Sequence, residues 1–247
     1  MSLLAVSGLR KAFGGVEAVA GVGFTVESGE MVALIGPNGA GKTTCFNLIN
    51  GQLRPDAGRV LLRGRDIAGL PPRRIWRLGV GRSFQIPAIF ASMTVRENVQ
   101  MALLSHRRRL FAILPPATRL CRAEAEALLE RVGMDGQAAR PCGVLAYGDL
   151  KRVELAIALA HGPALLLMDE PTAGMAPRER AALMDLVAGI ARERALGVLF
   201  TEHDMDIVFG HADRVLVMHR GRLIAQGAPE AVRADPQVRA VYLGRAG

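Results

Sequence analysis

The order of apolar and polar positions changes its period several times along the chain. Residues 3–13 and 16–26 alternate loosely between apolar and polar side chains, which predicts two strands separated by the pair Gly14-Gly15. Residues 31–35 form a short continuous apolar run, the pattern of a strand buried on both faces. A helical pattern follows over residues 42–50. The chain therefore begins with a predicted β region that leads into a buried strand and a helix.

Short strands and helices are predicted along the rest of the chain. The predicted strands cover residues 59–62, 80–84, 164–168, 197–201, 215–218 and 223–226. The predicted helices cover residues 71–78, 93–105, 123–132, 150–161 and 178–194. Only helical spacing occurs between residues 87 and 160, so we expect a helical insert there. Strands and helices alternate on either side of it, which predicts a largely parallel sheet covered by helices.

Composition narrows the class of protein. Half of the residues are hydrophobic, so the chain can bury a sizeable core and is not of the disordered type. The longest apolar stretch, residues 156–168, is interrupted by polar and helix-breaking residues and falls short of the roughly 18 residues of a spanning helix. We expect a soluble protein, or one held at a membrane by a partner. Three distant cysteines predict free thiols in a reducing compartment: Cys45, Cys121 and Cys142.

The net charge of +8 leaves three explanations open. An arginine-rich composition needs no ligand, whereas a membrane-facing patch or a nucleic-acid surface would each use the charge. Arginines do cluster, at Arg73, Arg74 and Arg77 and again at residues 107–109. Aromatic residues make up only 4% of the chain, so stacking platforms for single-stranded nucleic acid are scarce. We therefore expect no nucleic-acid partner.

A glycine-rich segment lies between the buried strand and the helix. It fits the phosphate-loop pattern G-x-x-x-x-G-K-[ST] and comprises Gly36, Pro37, Asn38, Gly39, Ala40, Gly41, Lys42 and Thr43, with Thr44 next to it. The glycines let backbone N–H groups approach phosphate oxygens, and the helix N-terminus adds partial positive charge. We expect Lys42 to reach the β- and γ-phosphates of ATP and Thr43 to ligate Mg²⁺. An ordinary glycine-rich turn is the alternative, which the strand–loop–helix context opposes.

Two acids end a second apolar strand. Asp169 and Glu170 follow residues 164–168, and ligands of open α/β sheets bind at the carboxyl ends of the strands. Asp169 suits Mg²⁺, directly or through water. Glu170 suits a general base that polarises the attacking water. The alternative is that the two residues are surface acids without a functional role, and the presence of a phosphate loop in the same chain argues against it.

These motifs complete the predicted fold class. We expect an α/β protein with a P-loop NTPase core, a mostly parallel sheet, an N-terminal antiparallel β subdomain and an inserted α-helical subdomain. Residues 1–247 would form a single domain. Within it, residues 1–86 and 161–247 would be the α/β core and residues 87–160 the helical subdomain.

From residue 3 to residue 244 the chain resembles the ATP-binding subunits of ABC transporters. The resemblance implies that Phe13 stacks on adenine. It implies that Gln85 senses Mg²⁺ and couples the site to the membrane subunits. It also implies that His203, at the end of a later strand, contacts the γ-phosphate.

The signature loop of that family, commonly LSGGQ, is matched with three departures. It reads Leu145, Ala146, Tyr147, Gly148 and Asp149. Ala146 lacks the hydroxyl that would donate to the γ-phosphate, Tyr147 replaces a glycine, and Asp149 places a carboxylate where an amide is usual. We expect nucleotide binding to be retained and closure of the dimer to be weaker.

The loop at residues 173–177 matches the family's dimer-contacting loop. Its usual aspartate or asparagine before the proline is Ala176 here. The resemblance therefore implies contacts between subunits through this loop that lack the usual polar side chain.

Several details resemble the branched-chain amino-acid importer branch of the family. They are the residues 13–15, 145–148, 202–205 and 241–244. The resemblance implies two transmembrane permease subunits, a second ABC ATPase in a homo- or heterodimer, and indirectly a periplasmic solute-binding protein. It places the chain peripherally on the cytoplasmic face of the inner membrane.

Three alternatives to the importer reading remain at the level of the sequence. The lipopolysaccharide-export branch has a similar tail but usually a Gly-Gly-Glu signature and an asparagine in the last switch. A soluble ABC ATPase acting on nucleic acid would usually carry two nucleotide domains in one chain. A nucleotide-binding regulator without turnover is suggested only by Ala146 and Asp149.

Overall fold

The computed structural model describes residues 2–83, 89–107 and 120–243. Its strands are β1 (Leu4–Phe13), β2 (Val16–Val26), β3 (Met31–Ile35), β4 (Ala57–Leu62), β5 (Arg65–Asp66), β6 (Val80–Ser83), β7 (Leu165–Asp169), β8 (Gly197–Thr201), β9 (Arg214–His219) and β10 (Arg222–Gly227). Its α-helices are α1 (Lys42–Ile49), α2 (Pro72–Arg77), α3 (Val95–His106), α4 (Arg122–Arg131), α5 (Tyr147–Leu159), α6 (Pro177–Arg194), α7 (Met205–His211), α8 (Pro229–Ala234) and α9 (Pro236–Leu243).

An antiparallel sheet of strand order β2-β1-β4-β5 forms the N-terminal part of the protein. β1 and β2 form a hairpin, as predicted. The turn between them needs a positive φ at two successive positions, 52° at Gly14 and 86° at Gly15. Glycine adopts this conformation without the steric cost of a Cβ. The two-residue strand β5 was not predicted, and it pairs with β4.

The second sheet has the order β10-β9-β3-β8-β7-β6. The pairs from β9 to β6 are all parallel, and β10 pairs antiparallel with β9. This confirms the predicted mostly parallel sheet and the predicted C-terminal hairpin. Because β8 lies between β3 and β7, the carboxyl ends of these three strands are neighbours, and that is where open α/β sheets bind their ligands.

The two faces of this sheet are buried against different elements. Val32 and Leu34 of β3 pack with α1 and the antiparallel sheet. Ala33 and Ile35, which point to the other face, belong to a core that includes residues of α3 to α7. The predicted helical stretch therefore shares one core with the sheet. The boundaries at residues 87 and 160 stay a prediction.

One helix begins earlier than the sequence predicted. The pattern indicated a helix over residues 150–161, whereas α5 begins at Tyr147 and ends at Leu159. Gly148 and Asp149 have low helix propensity, which hides the first turn in the sequence. An acidic side chain is nonetheless favourable there, because it faces the positive end of the helix dipole. The predicted signature loop is thus largely the first turn of a helix.

The last three helices were not predicted either. For α7 the signal was present, because the Asp204 carboxylate accepts hydrogen bonds from the N–H groups of Asp206 and Ile207, as an N-cap residue does. None of the described helices combines the length and the apolar character needed to cross a bilayer.

Candidate active site

The phosphate loop is held in a conformation that only glycine tolerates at two points. Gly41 has a φ of 102°, and a Cβ there would overlap the carbonyl oxygen of Ala18. A Cβ at Gly36 would overlap the carbonyl oxygen of Met218 on β9. The loop therefore packs closely on its neighbours, and its N–H groups stay near the N-terminus of α1, where an anion is stabilised.

Lys42 lies inside the loop. Its Nζ donates to the carbonyl oxygens of Gly36 at 2.7 Å and Pro37 at 3.3 Å, and the residue is only 7% exposed. Burial lowers the pKa of the Lys42 ammonium, while the charges of Glu170 and Asp169 counteract this shift. A buried ammonium group whose hydrogen bonds go to neutral carbonyl oxygens is suited to bind an anionic ligand.

The phosphate loop and one of the two acids line the same pocket, whose volume is about 320 Å³. Its lining comprises Ala18, Asn38, Gly39, Ala40, Gly41, Lys42, Thr43, Thr44 and Glu170. The sequence placed these two motifs far apart in the chain. The strand order β3-β8-β7 brings them together.

The two acids at the end of β7 are held by a hydroxyl group on the neighbouring strand β8. The Oγ1 of Thr201 donates to Asp169 Oδ1 at 2.8 Å and accepts from the N–H of Glu170 at 3.0 Å. The guanidinium of Arg82 lies 3.8 Å from Asp169 Oδ2. Neither Thr201 nor Arg82 was predicted as a site residue, since contacts between strands leave no local pattern in the sequence.

Glu170 adopts a left-handed backbone conformation with a φ of 50°. This costs energy for a residue with a Cβ, and such conformations cluster at functional sites. Its carboxylate meets the predicted histidine, since His203 Nε2 lies 2.8 Å from Glu170 Oε1. The structure thus places His203 against Glu170, which lines the pocket together with Lys42.

The donor set near the pocket fits Mg²⁺. The Thr43 hydroxyl is exposed in the first turn of α1, and Asp169 presents a carboxylate at the end of β7. Both residues supply oxygen ligands, which Mg²⁺ prefers. Phosphate oxygens of bound ATP would complete the coordination shell of the ion. The third predicted ligand, Gln85, lies outside the described residues.

Several predicted nucleotide contacts are not among the described residues that line this pocket: Gly36, Pro37, His203, Phe13 and the signature residues. Phe13 is 48% exposed at the end of β1, with Lys11 Nζ 5.6 Å from its ring centroid. The signature residues Ala146, Tyr147, Gly148 and Asp149 lie elsewhere, at the start of α5.

The start of α5 packs on the start of α6. A Cβ added to Gly174 would lie 3.4 Å from the ring of Tyr147, and one added to Gly148 would lie 3.4 Å from the carboxylate of Glu179. The signature residues therefore adjoin the loop at residues 173–177, which the resemblance also linked to dimer contacts.

Two family models match this chain. The model described as ABC transporter matches residues 19–173, and the model described as branched-chain amino acid ATP-binding cassette transporter matches residues 222–247.

Three relatives align with nearly the whole chain. The high-affinity branched-chain amino acid transport ATP-binding protein LivG of Salmonella typhimurium is 42% identical over 99% of this chain and 98% of its own length. BraF of Pseudomonas aeruginosa, which carries the same description, is 42% identical with the same coverage. The lipopolysaccharide export system ATP-binding protein LptB of Haemophilus influenzae is 38% identical, again over 99% and 98%.

A solved structure supports the same assignment. The crystal structure of the ADP conformation of an ATP-binding cassette of an ABC transporter superimposes with a TM-score of 0.89 and 32% identity, over 99% of this chain and 100% of the other. This confirms the predicted fold class. Since the first family model covers more than half of the chain and the identity to relatives reaches 42%, the chain belongs to the ABC transporter family, whose ATP-binding cassettes hydrolyse ATP to power transport.

Proposed function

We propose that this chain is the ATP-hydrolysing subunit of an importer for branched-chain amino acids or a related small polar solute. One observation carries the catalytic part of this proposal. The pocket lined by the phosphate loop also contains Glu170, whose carboxylate contacts His203 at 2.8 Å. A phosphate-binding loop, an acceptor for a water proton and a histidine therefore converge on one place.

The reaction is the transfer of the γ-phosphoryl group of ATP to water. The phosphate loop and Lys42 hold the phosphates and offset their charge. Glu170 orients a water molecule and accepts its proton as the oxygen attacks phosphorus, and the bond to the β-phosphate oxygen breaks. His203 is placed to orient Glu170 and to donate to the transferred group. Mg²⁺, held by Thr43, Asp169 and Gln85, would neutralise charge on the phosphates.

A second subunit completes the site in this proposal. Among the described residues, the signature segment at residues 146–149 does not line the pocket that contains the phosphate loop. The N-terminus of α5 has no side-chain cap, so its N–H groups can face an anion on another molecule. A head-to-tail dimer would therefore place α5 of one subunit over the phosphates of its partner, and ATP would hold the two together.

Similarity to importer subunits supports the proposed permease partners and membrane location. LivG and BraF are described as branched-chain amino acid transport proteins, and the match at residues 222–247 supports the same branch. Permease partners, a periplasmic solute-binding protein and a place on the cytoplasmic side of the inner membrane belong to this proposal. Export of lipopolysaccharide is the second candidate, because LptB is 38% identical.

The substitution Glu170→Gln tests the catalytic proposal. It removes the proton acceptor and keeps the shape, so hydrolysis should fall by about 10²–10⁴-fold. ATP affinity should change little, and ATP should now hold a stable dimer that light scattering detects. Glu230→Gln is the matched control, since Glu230 is an exposed glutamate on α8. Turnover at the wild-type rate in Glu170→Gln would rule out Glu170 as the base. Leucine uptake by proteoliposomes that contain the permease is the corresponding readout for the solute.

A further inference from the structure

A buried carboxylate connects the two loops that carry Glu170 and His203. Glu202 is only 4% exposed. Its Oε1 accepts hydrogen bonds from the N–H of Thr172 at 2.9 Å and from its hydroxyl at 2.7 Å. Its Oε2 accepts from the N–H of His203 at 3.3 Å. None of these three hydrogen bonds involves a residue of the phosphate loop.

A carboxylate in this position is costly for the fold. Burial of an ionised carboxylate is unfavourable unless hydrogen bonds or an opposite charge compensate for it. Glu202 makes no ion pair with a Lys, Arg or His among the described residues, so the three donors from Thr172 and His203 provide the compensation. A neutral or apolar side chain would serve the packing alone at lower cost.

The contacts form a closed ring. Thr172 lies two residues after Glu170, Glu202 lies one residue before His203, and His203 Nε2 contacts Glu170 Oε1 at 2.8 Å. The ring includes Pro171, whose φ is restricted by its own side chain. The distance between Glu170 and His203 is therefore set by the backbone on both sides of the Glu202 carboxylate.

We infer that Glu202 is a positioning residue, which fixes the loop of Glu170 relative to His203 so that both groups face the γ-phosphate together. The inference rests on the proposed function. Both oxygens of a carboxylate are acceptors, and both of its neighbours donate. The amide of a glutamine could accept from only one of these neighbours, because its NH₂ group would face an N–H or O–H donor of the other.

The chemistry predicts a graded response. In Glu202→Gln the amide oxygen keeps the two shorter bonds from Thr172 and loses the bond from the His203 N–H. In Glu202→Ala both sides are lost. Thr172→Val keeps the shape and the backbone N–H but removes one donor. The effect on kcat should therefore be largest in Glu202→Ala and smaller in the other two.

Steady-state ATPase assays, nucleotide titration and thermal melting of the full-length variants test the inference. We expect kcat to fall about tenfold or more in Glu202→Ala and about threefold in Thr172→Val, with KM for ATP within about twofold of wild type. The double variant should lose no more than Glu202→Ala alone, because both changes break the same contact. Glu230→Gln should match wild type in every assay.

Two results would overturn the inference. One is a lowered melting temperature with an unchanged kcat, which would give Glu202 a purely structural role. The other is a double variant whose losses add. Wild-type protein in the same preparation separates this inference from the proposed function: if wild type does not hydrolyse ATP, the proposed function fails, whereas active wild type with active Glu202 variants contradicts the positioning role alone.

Discussion

At the scale of single residues, Thr201 links both acids of the site. It is 1% exposed, and its hydroxyl donates to the Asp169 carboxylate while it accepts from the Glu170 N–H. The left-handed conformation of Glu170 needs such support, because it is unfavourable by itself. One buried hydroxyl therefore stabilises the side chain of one acid and the backbone of the other.

The substitution Thr201→Val should distinguish the contribution of the hydroxyl group from that of side-chain packing. Valine has nearly the same shape, so the core stays filled, but a hydrogen bond to a charged group is lost, which is worth about 1.5–3 kcal/mol. We expect ATP hydrolysis to fall by about 10- to 100-fold, since the acids lose their alignment. Thr201→Ser keeps the hydroxyl and should restore most of the activity. Equal activity of the valine and serine variants in an ATPase assay would contradict this role.

At the scale of elements, helix N-termini fall into two groups. α3 has a full capping box between Thr94 and Glu97, and α7 is capped by Asp204. The N-cap residues of α5 and α6 are Ala146 and Ala176, and neither alanine provides a side-chain acceptor. Among the described helices that lack a side-chain cap, α5 and α6 are those whose starting residues the family resemblance assigns to contacts with another subunit. Their stability is reduced where N–H groups are available to a ligand.

Ala146→Ser should restore both a cap and a phosphate donor. A serine at the N-cap stabilises a helix by about 0.5–2 kcal/mol. The same hydroxyl would lie where the signature loop is expected to contact the γ-phosphate, so dimerisation with ATP should strengthen in a Glu170→Gln background. Ala228→Ser is the control, because Ala228 is the N-cap of α8 and also lacks a side-chain cap. Both changes should raise the melting temperature, and only Ala146→Ser should shift the dimerisation measured by sedimentation.

At the scale of the whole molecule, the sheet and the helical stretch meet at a buried histidine. His161 is mostly buried after α5, and its ring lies 4.6 Å from that of Trp76 on α2, measured between centroids. Burial lowers the pKa of His161 to about 4, and the charge of His106 adds to this effect, while the backbone of Val80 opposes it. Protonation of this single side chain therefore opposes the packing of α2, α3 and α5.

The stability of the fold should consequently fall in mild acid. The unfolded chain binds a proton at His161 near its ordinary pKa of about 6.5, whereas the folded protein binds it only near 4. As the pH falls from 6.5 to 4, proton binding at His161 favours the unfolded state. The free energy of unfolding should fall by on the order of 3 kcal/mol over this interval.

Urea unfolding of wild type and His161→Phe at several pH values tests this expectation. Phenylalanine can occupy the apolar site beside Trp76 and does not titrate. The variant should lose stability more slowly between pH 6.5 and 4 than wild type does. The same slope in both proteins would show that other groups cause the pH dependence.

The sequence predicted those parts of the protein that depend on local chemistry. The phosphate loop, the apolar strands and the acids at residues 169–170 each consist of neighbouring residues, and the chemistry of these residues predicts their role. Most helices and strands were predicted to within a few residues, because burial imposes a period on the side chains. Element ends were less certain, as α5 shows, since the first turn of a helix accepts residues that are poor inside one.

Only the tertiary structure decided how these parts meet. The order β3-β8-β7 brings the phosphate loop, His203 and the acids to the carboxyl ends of neighbouring strands. The contacts of Thr201, Glu202 and Thr172 arise from that order. The pairing of parallel strands depends on contacts between residues far apart in the chain, and a local pattern does not contain them. The residues of the phosphate loop and the acids could therefore be predicted from the sequence, whereas the geometry of the site was set by long-range packing.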